Sequence, residues 1–267
     1  MIPSYENKAD LFKWLKANKD LLLQAKKAQI KHADAVMFLQ GTNSPHVTKS
    51  EATPQADPTK LQVKAVINTT NLMDSHDDVH IKGIWNKSLN DRKSFYLLQE
   101  HQMKFDKVIS DKVTATAVDM AWSELGQTYE GKTQALVFDA TLDKGLNPFM
   151  FEQYQNDRVK NHSVGMQYVK IALAVNSEDK YFREEKDTWD KYYSEISNKE
   201  LADEKGYFFA VTEAKVIEGS AVLVGSNQAT PTLQIGEPLK NTPESIEPSN
   251  DTQKIDWNLI INSLKKN

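Results

Sequence analysis

Apolar and polar residues alternate along much of the middle of this 267-residue chain, which is the pattern of β-strands with one buried face. Val63, Ala65 and Ile67, for example, occupy every second position of one such stretch. The segments with strand character are LQVKAVINTT, KVTATAVDMAW, TQALVFDATL, NHSVGMQYVKIALAV and GYFFAVTEAKVIEGSAVLVG. A short helix that starts near Pro148 precedes the fourth segment. This pattern predicts an α+β fold, mainly an antiparallel β-barrel with flanking helices, over residues 61–235.

The N-terminal segment, residues 1–40, has helical periodicity. Leu11, Leu15 and Leu22 recur at helical intervals among lysines, and neither Gly nor Pro occurs between residues 8 and 39. We therefore expect one amphipathic helix that packs on the rest of the domain or on a second copy of the chain. The alternative interpretation is a targeting or assembly segment.

Three further segments are dominated by polar residues. Residues 41–60 contain three prolines among Ser and Thr residues and are predicted to be a flexible linker. Residues 177–206 are highly charged and are predicted to form a helical insertion that closes at Gly206. Residues 236–267 are rich in polar residues and are predicted to be a flexible tail with a short amphipathic helix at its end.

Composition narrows the range of functions. The net charge of −4 gives no reason to expect direct binding of nucleic acid. The chain has no cysteine, which excludes disulfides, a thiolate nucleophile and cysteine-ligated metals. It also has no signal-peptide pattern and no apolar stretch of membrane-spanning length. We expect a soluble intracellular protein that makes no membrane contact.

A histidine, a serine and a glutamate in or beside predicted strands could together cleave an acyl bond. Histidine changes charge near neutral pH, so His101 could accept a proton from Ser163 while Glu218 stabilises the imidazolium. Strand alternation places Ser163 and Gly165 on one face and His162 on the other, and Gly165 leaves room for a substrate backbone. The absence of a Gly-x-Ser-x-Gly motif argues against an α/β-hydrolase.

The sequence leaves two questions undecided: which residue would orient His101, and whether the segment Asp74–His80 binds a metal ion. Glu213 is an alternative to Glu218 but points to the opposite face of a regular strand, and His162 points away from its neighbour Ser163. An unidentified group, or a dyad, would also serve. The acidic and histidine residues of Asp74–His80 are possible metal ligands, although a solvated acidic turn is the simpler interpretation. We predict no metal and no cofactor.

The order of these residues, with their surroundings, resembles the prohead (procapsid) maturation proteases of tailed phages, which are relatives of the herpesvirus assemblins. Four blocks between about residues 62 and 232 carry the resemblance. They are TTNLMDSHDDVHIKGIWNKSL with Asp74, Asp78, Gly83 and Trp85, FYLLQEHQM with His101, NHSVGMQY with Ser163 and Gly165, and VTEAKVIEGSAVLVGSNQATP with Glu218, Ser220, Asn227 and Ala229. The chain departs from the usual pattern at Met166, Gly219 and Ser226.

The resemblance implies an assemblin-like serine protease barrel at 61–235 with Ser163 as nucleophile, His101 as base and Glu218 as the residue that holds His101. It implies cleavage of scaffold and major capsid protein precursors, and of the protease itself, inside a procapsid assembling in the host cytoplasm. The Pro-rich segments on either side of the domain are the expected self-cleavage sites. A homo-oligomer is possible for such a protein. The alternative is a noncatalytic capsid scaffold or assembly protein that retains the fold.

Overall fold

The structure is a computed structural model that describes residues 2–3, 5–32, 48–49, 57–223 and 232–236. The described helices are α1 (Lys8–Ala17), α2 (Lys19–Ala28), α3 (Asn86–Asp91), α4 (Pro148–Gln155), α5 (Arg183–Tyr192) and α6 (Lys199–Lys205). The described strands are β1 (Ile30–His32), β2 (Thr48–Lys49), β3 (Lys60–Thr69), β4 (Asp78–His80), β5 (Leu97–Gln99), β6 (Val108–Ser110), β7 (Lys112–Ala121), β8 (Lys132–Asp143), β9 (Asn161–Val175), β10 (Tyr207–Val222) and β11 (Thr232–Gly236).

These strands form two sheets. Sheet A has the order β1-β9-β10-β5-β6, and β4 also pairs with β10. Within sheet A, β10 runs antiparallel to β9 but parallel to both β4 and β5. Sheet B has the order β2-β11-β3-β8-β7, in which only the β11–β2 pair is parallel. The long antiparallel pair β9–β10 is the centre of sheet A and carries most of the residues discussed below.

The main core lies where the two sheets pack together. Alternating apolar residues of β3 and β8, such as Ile67 and Phe138, meet those of β9 and β10, such as Val164 and Val216. The contact is close at Gly219, where an added Cβ would lie 2.7 Å from Phe138 Cε2. The aromatic ring of Phe138 therefore fills the space that a larger residue at 219 would need.

The predicted α+β class, with a mainly β body and flanking helices, is confirmed. The long strands were predictable from alternation, and β9 occupies the predicted residues 161–175. The charged segment 177–206 is helical, as α5 and α6, and Gly206 ends α6 with a left-handed φ of 73°. The pairings among described residues define two sheets, so the closed barrel stays a prediction.

The prediction of one helix over residues 8–39 is wrong. Helix α1 ends at Asn18, whose backbone N–H and side-chain amide both donate to the carbonyl of Trp14, at 3.0 and 2.9 Å. A second helix follows, and the chain then turns into β1, which pairs with β9. Asn18 competes for the backbone groups that would continue the helix, and the open edge of β9 offers Ile30–His32 a strand partner.

Several predicted segments lie wholly or mostly outside the described residues. They are most of the 41–60 linker, nearly all of the 236–267 tail with its predicted terminal helix, and the part of the fourth sequence block that contains Ser226, Asn227 and Ala229. Within the described ranges, no helix is long and apolar enough to cross a membrane.

Candidate active site

Three neighbouring strands of sheet A place Glu218 in contact with His101 and carry Ser163 on the next strand, where its hydroxyl forms no hydrogen bond with His101. Ser163 on β9 is paired with Ser220 on β10, and Ser220 is paired on its other side with Leu98 on β5. His101 follows the end of β5 by two residues. Because adjacent strands lie only about 4.8 Å apart, residues that are more than 50 positions apart in sequence become neighbours in one sheet.

A β-bulge in β10 decides which face Glu218 occupies. Val216 is paired with Met166, whereas Glu218 is paired with Gly165, so Ile217 is the extra residue. Opposed residues of an antiparallel pair point to the same face, and the bulge therefore shifts the alternation. Val216 points into the core with Met166, and Glu218 points to the opposite face, which also carries Ser163 and Ser220. We call this the site face of sheet A.

Helix α3 and the residue after it satisfy the backbone groups that the bulge exposes. Ser88 Oγ accepts a hydrogen bond from the backbone N–H of Val216 at 2.9 Å. Arg92 donates to the carbonyls of Val216 and Ile217 at 3.1 and 2.8 Å. Burying a backbone group without a hydrogen-bond partner costs free energy. The hydrogen bonds with Ser88 and Arg92 therefore stabilise the irregular part of β10 that sets the direction of the Glu218 side chain.

His101 lies in a tight turn with an uncommon backbone conformation. Both Glu100 and His101 have positive φ values, of 51° and 57°. The backbone N–H of Glu100 donates to the carbonyl of Ala221 at 3.0 Å, and that of His101 donates to Ser220 Oγ at 3.1 Å. Two successive non-glycine residues in the left-handed region are energetically unfavourable, and β10 holds them in place through these two bonds.

Glu218 joins the histidine and Ser220 through its two carboxylate oxygens. Its Oε1 lies 2.7 Å from His101 Nδ1, and its Oε2 accepts a hydrogen bond from Ser220 Oγ at 2.6 Å. Glu218 is 1% exposed and Ser220 is fully buried, so this network is shielded from water. A buried carboxylate with both oxygens engaged fixes the orientation of the imidazole and would stabilise its charged form.

Gly165 provides the space that this arrangement occupies. A Cβ at position 165 would lie 2.9 Å from Glu218 Cδ and closer still to Oε1, so the carboxylate sits directly against the glycine. Ser163 is two residues away on the same face of β9 and is 1% exposed. Its Oγ is buried and has no hydrogen-bond partner among the described residues. A buried hydroxyl without a partner is uncommon in folded proteins and is a feature that calls for a functional explanation.

The two alternative third residues are engaged elsewhere. Glu213 forms ion pairs with Lys170 at 2.5 Å and with Lys87 at 3.5 Å. His162 is paired with Ala221 and is buried on the core side, where its Nε2 lies 2.9 Å from the hydroxyl of Tyr154. Of the three residues considered at sequence level, Glu218 is the one that contacts His101 in the structure.

The Asp74–His80 segment forms a structural network. His80 is bonded through Nδ1 to Asn68 at 3.1 Å and through Nε2 to the Tyr168 hydroxyl at 2.9 Å. The Tyr168 hydroxyl in turn donates to Asp78 at 3.0 Å. Burial lowers the pKa of His80 to about 4, and burial, followed by the charge of Asp78, raises the pKa of the partly exposed Asp74 to about 7. Within the described ranges, no group of three or more His, Asp and Glu side chains is placed to hold a metal ion.

Sequence reasoning missed the supporting roles of Ser220, Ser88 and Arg92. The spacing Glu218-x-Ser220 was a usable signal, because residues two apart share a face of a strand. No local pattern marks Ser88 or Arg92, since their partners are backbone groups more than 120 residues away.

The arrangement therefore offers a hydroxyl, an imidazole held by a buried carboxylate, and a glycine beside them on one face of a sheet. No family model, curated protein or solved structure matches this chain.

Proposed function

We propose that this protein is a serine endopeptidase that cleaves scaffold and capsid precursor proteins, and itself, during maturation of a tailed-phage procapsid. The observation that carries the proposal is the 2.7 Å contact between His101 Nδ1 and the buried carboxylate of Glu218, on the face that also holds the unpartnered hydroxyl of Ser163. A carboxylate and a buried serine on adjacent strands, with an imidazole in the turn that follows the next strand, are the components of a triad, which is recognised by geometry and by the role of each residue.

In the proposed mechanism Ser163 Oγ attacks the scissile carbonyl of the peptide. His101 accepts the hydroxyl proton and then donates it to the leaving amine. Because Nδ1 is held by Glu218, Nε2 is the nitrogen that would exchange the proton. Water then hydrolyses the acyl-enzyme with His101 again acting as base, and Glu218 stabilises the imidazolium throughout. This route uses a hydroxyl, an imidazole, a carboxylate and water, so the proposal requires no cofactor.

The viral context of the proposal comes from the order of the four sequence blocks. Two of the three departures from the usual pattern have a structural reason that leaves the site intact. Met166 is a core residue 2% exposed, and Gly219 accommodates the ring of Phe138. The closed assemblin-like barrel, the capsid and scaffold partners and the location inside a procapsid belong to the same proposal.

The proposal is tested by labelling the purified chain with a fluorophosphonate and following its intact mass over time. We expect the label on the wild type and on Ser123→Ala, which changes an exposed serine far along the chain from the site. Ser163→Ala should neither take the label nor shorten. Equal labelling of Ser163→Ala and wild type would show that another residue is the nucleophile.

A noncatalytic capsid scaffold or assembly protein is the second candidate. The burial of Ser163, at 1% exposure, favours it because a substrate cannot reach a covered hydroxyl without some rearrangement. A full-length chain that takes no label, never shortens and yet co-assembles with capsid protein would support this second function.

A further inference from the structure

Strand β7 gives sheet B a long open edge. It is the outermost strand on one side of that sheet, and its second edge has no strand partner within the described ranges. The strands β1, β6 and β2, which end the other sides of the two sheets, have 3, 3 and 2 residues, whereas β7 has 10. About half of the residues in an edge strand point their backbone N–H and C=O groups away from the neighbouring strand. Strand β7 therefore presents a long row of backbone groups with which a further strand could pair.

Along its described residues, β7 lacks the features that usually protect a sheet edge. It contains neither proline nor glycine, and all 10 of its residues pair with β8 in one unbroken register. The β9–β10 and β3–β8 pairs, by contrast, are interrupted by bulges or other irregularities. The charged residues of β7 are Lys112 and Asp119, so the stretch 113–118 carries no charge. Because natural proteins block exposed edges with bulges, prolines or charges, a regular and uncharged edge indicates a binding partner.

The strand is accessible over nearly its whole length. Of the 10 described residues of β7, Val113 is buried and the others are part-buried or exposed. Thr114 and Thr116 are exposed on the outer face, and Ala115 and Ala117 pack against the main core while keeping part of their surface exposed. This exposure leaves β7 within reach of a second molecule.

Two copies of β7 can pair with each other symmetrically. Antiparallel strands related by a two-fold axis perpendicular to the sheet place residues of the same face opposite each other. Because the faces alternate along a strand, such an axis must pass through a residue and not between two residues. The two axes that keep the longest overlap of the 10 residues pass through Thr116 or Ala117.

An axis at Thr116 opposes compatible side chains. The two copies of Thr116 then lie opposite each other on the exposed face, and a pair of threonines at such a position stabilises a sheet. On the other face, the small side chains of Ala115 and Ala117 are opposed. Lys112 and Asp119 each lie opposite an uncharged residue, so no two like charges are opposed in this register.

We propose that β7 is a dimer interface at which it pairs antiparallel with β7 of a second copy of the chain, around a two-fold axis at Thr116. The pairing would join the two five-stranded copies of sheet B into one continuous sheet. An uncharged edge that fits itself favours a second copy over a partner selected by complementary charge. The interface lies on sheet B and the candidate active site on sheet A, so this inference does not depend on the proposed protease function.

The first experiment measures the molar mass of the full-length chain in solution by analytical ultracentrifugation over a range of concentrations. All samples carry Ser163→Ala, so that the proposed self-cleavage cannot change the mass. Thr116→Lys and Thr116→Glu each place two like charges opposite each other at the axis. Ser123→Lys is the matched control, because Ser123 is exposed and lies in the 3-10 helix that follows β7.

We expect dimers for the chain with unchanged β7 and for the Ser123→Lys control. Thr116→Lys and Thr116→Glu alone should each raise the Kd of the dimer on the order of tenfold, since like charges directly opposite each other destabilise a strand pair. An equimolar mixture of the two should recover the dimer, because opposite charges then face each other. Recovery in the mixture is specific to self-pairing at this residue, since variants that failed to fold would not regain it.

A disulfide tests the position of the axis. The chain has no cysteine, so Thr116→Cys introduces a single thiol. Opposed residues of paired strands have Cβ atoms about 4.5–5.5 Å apart, near the separation that a disulfide requires. Oxidation of Thr116→Cys should therefore give a covalent dimer, and oxidation of Ser123→Cys should give far less.

Three outcomes would overturn the inference. One is a chain with unchanged β7 that stays monomeric at every concentration. Another is a dimer whose Kd is the same in Thr116→Lys, Thr116→Glu and the Ser123→Lys control, which would place the interface elsewhere. The third is equal disulfide formation by Thr116→Cys and Ser123→Cys. None of these results bears on the labelling of Ser163 by a fluorophosphonate, so the proposed function is judged separately.

Discussion

Strand β9 contributes to two buried polar clusters, one on each of its faces, and they differ in one respect. In the network on one face, both ring nitrogens of His80 and the hydroxyl of Tyr168 have partners. In the cluster on the site face, the carboxylate of Glu218 is fully engaged but Ser163 Oγ has no partner among the described residues. A buried polar network that is fully paired stabilises a fold, whereas a buried hydroxyl left unpaired on the same sheet face as Glu218 calls for a functional explanation. The predictions below test whether this difference separates a structural cluster from a reactive one.

The largest effect is expected from Glu218→Gln. The amide keeps the shape of the side chain but cannot stabilise an imidazolium, and loss of the equivalent carboxylate function in serine proteases lowers kcat on the order of 10⁴-fold. The matched control is Glu213→Gln, five residues earlier on β10, which changes only an ion pair with Lys170 and Lys87 and should alter the rate less than about twofold. Peptidase assays on purified variants make the comparison. Equal losses in the two variants would remove Glu218 from the mechanism.

A smaller loss, about 100-fold in kcat, is expected from Gly165→Ala. The added methyl group would lie 2.9 Å from Glu218 Cδ and would displace the carboxylate from His101, and a misplacement of about 1 Å can cost that much. Gly145→Ala is the control, because its added Cβ would meet only an Asp143 oxygen at 3.2 Å in an exposed turn. Wild-type kcat in Gly165→Ala would contradict the placement of Glu218 against β9.

Ser220→Ala should lower kcat about tenfold or somewhat more and leave KM nearly unchanged. Ser220 Oγ donates to Glu218 Oε2 and accepts from the backbone N–H of His101, so its removal loosens both the carboxylate and the strained turn. Hydrogen bonds to charged groups contribute about 1.5–3 kcal/mol, which sets the size of the effect. A change confined to KM would indicate a role in substrate binding and would contradict the positioning role.

Most of the long strands could be predicted from sequence because strand alternation is local, whereas the choice of Ser163, His101 and Glu218 depended on the resemblance of the surrounding blocks. Positions 161–175 alternate regularly, and that alternation correctly separates Ser163 and Gly165 from His162. The orientation of Glu218 was harder to derive, since the bulge at Ile217 depends on backbone partners from Ser88 and Arg92.

The β1 pairing could not be predicted either. Ile30–His32 continues a helical pattern in the sequence, and its strand conformation is set by the distant edge of β9. Local sequence thus predicts the strands that carry the site. Long-range contacts determine the orientation of side chains such as Glu218 and the pairing of β1 with β9.

The last effect concerns the paired cluster, where we expect a change in stability with pH. Unfolded His80 would bind a proton near its ordinary pKa of 6.5, but burial lowers its folded pKa to about 4, so its contribution to stability is present above pH 6.5 and is lost as pH falls toward 4. Asp74 opposes it, because a pKa raised to about 7 makes stability increase as pH falls.

Comparing wild type with His80→Gln by urea unfolding at pH 7 and pH 4.5 isolates the contribution of the histidine to the free energy of unfolding. The wild type's advantage should shrink by about 2 kcal/mol at the lower pH. An advantage that is the same at both pH values would show that burial in this network does not keep His80 neutral, and the contrast between the two clusters would then no longer hold.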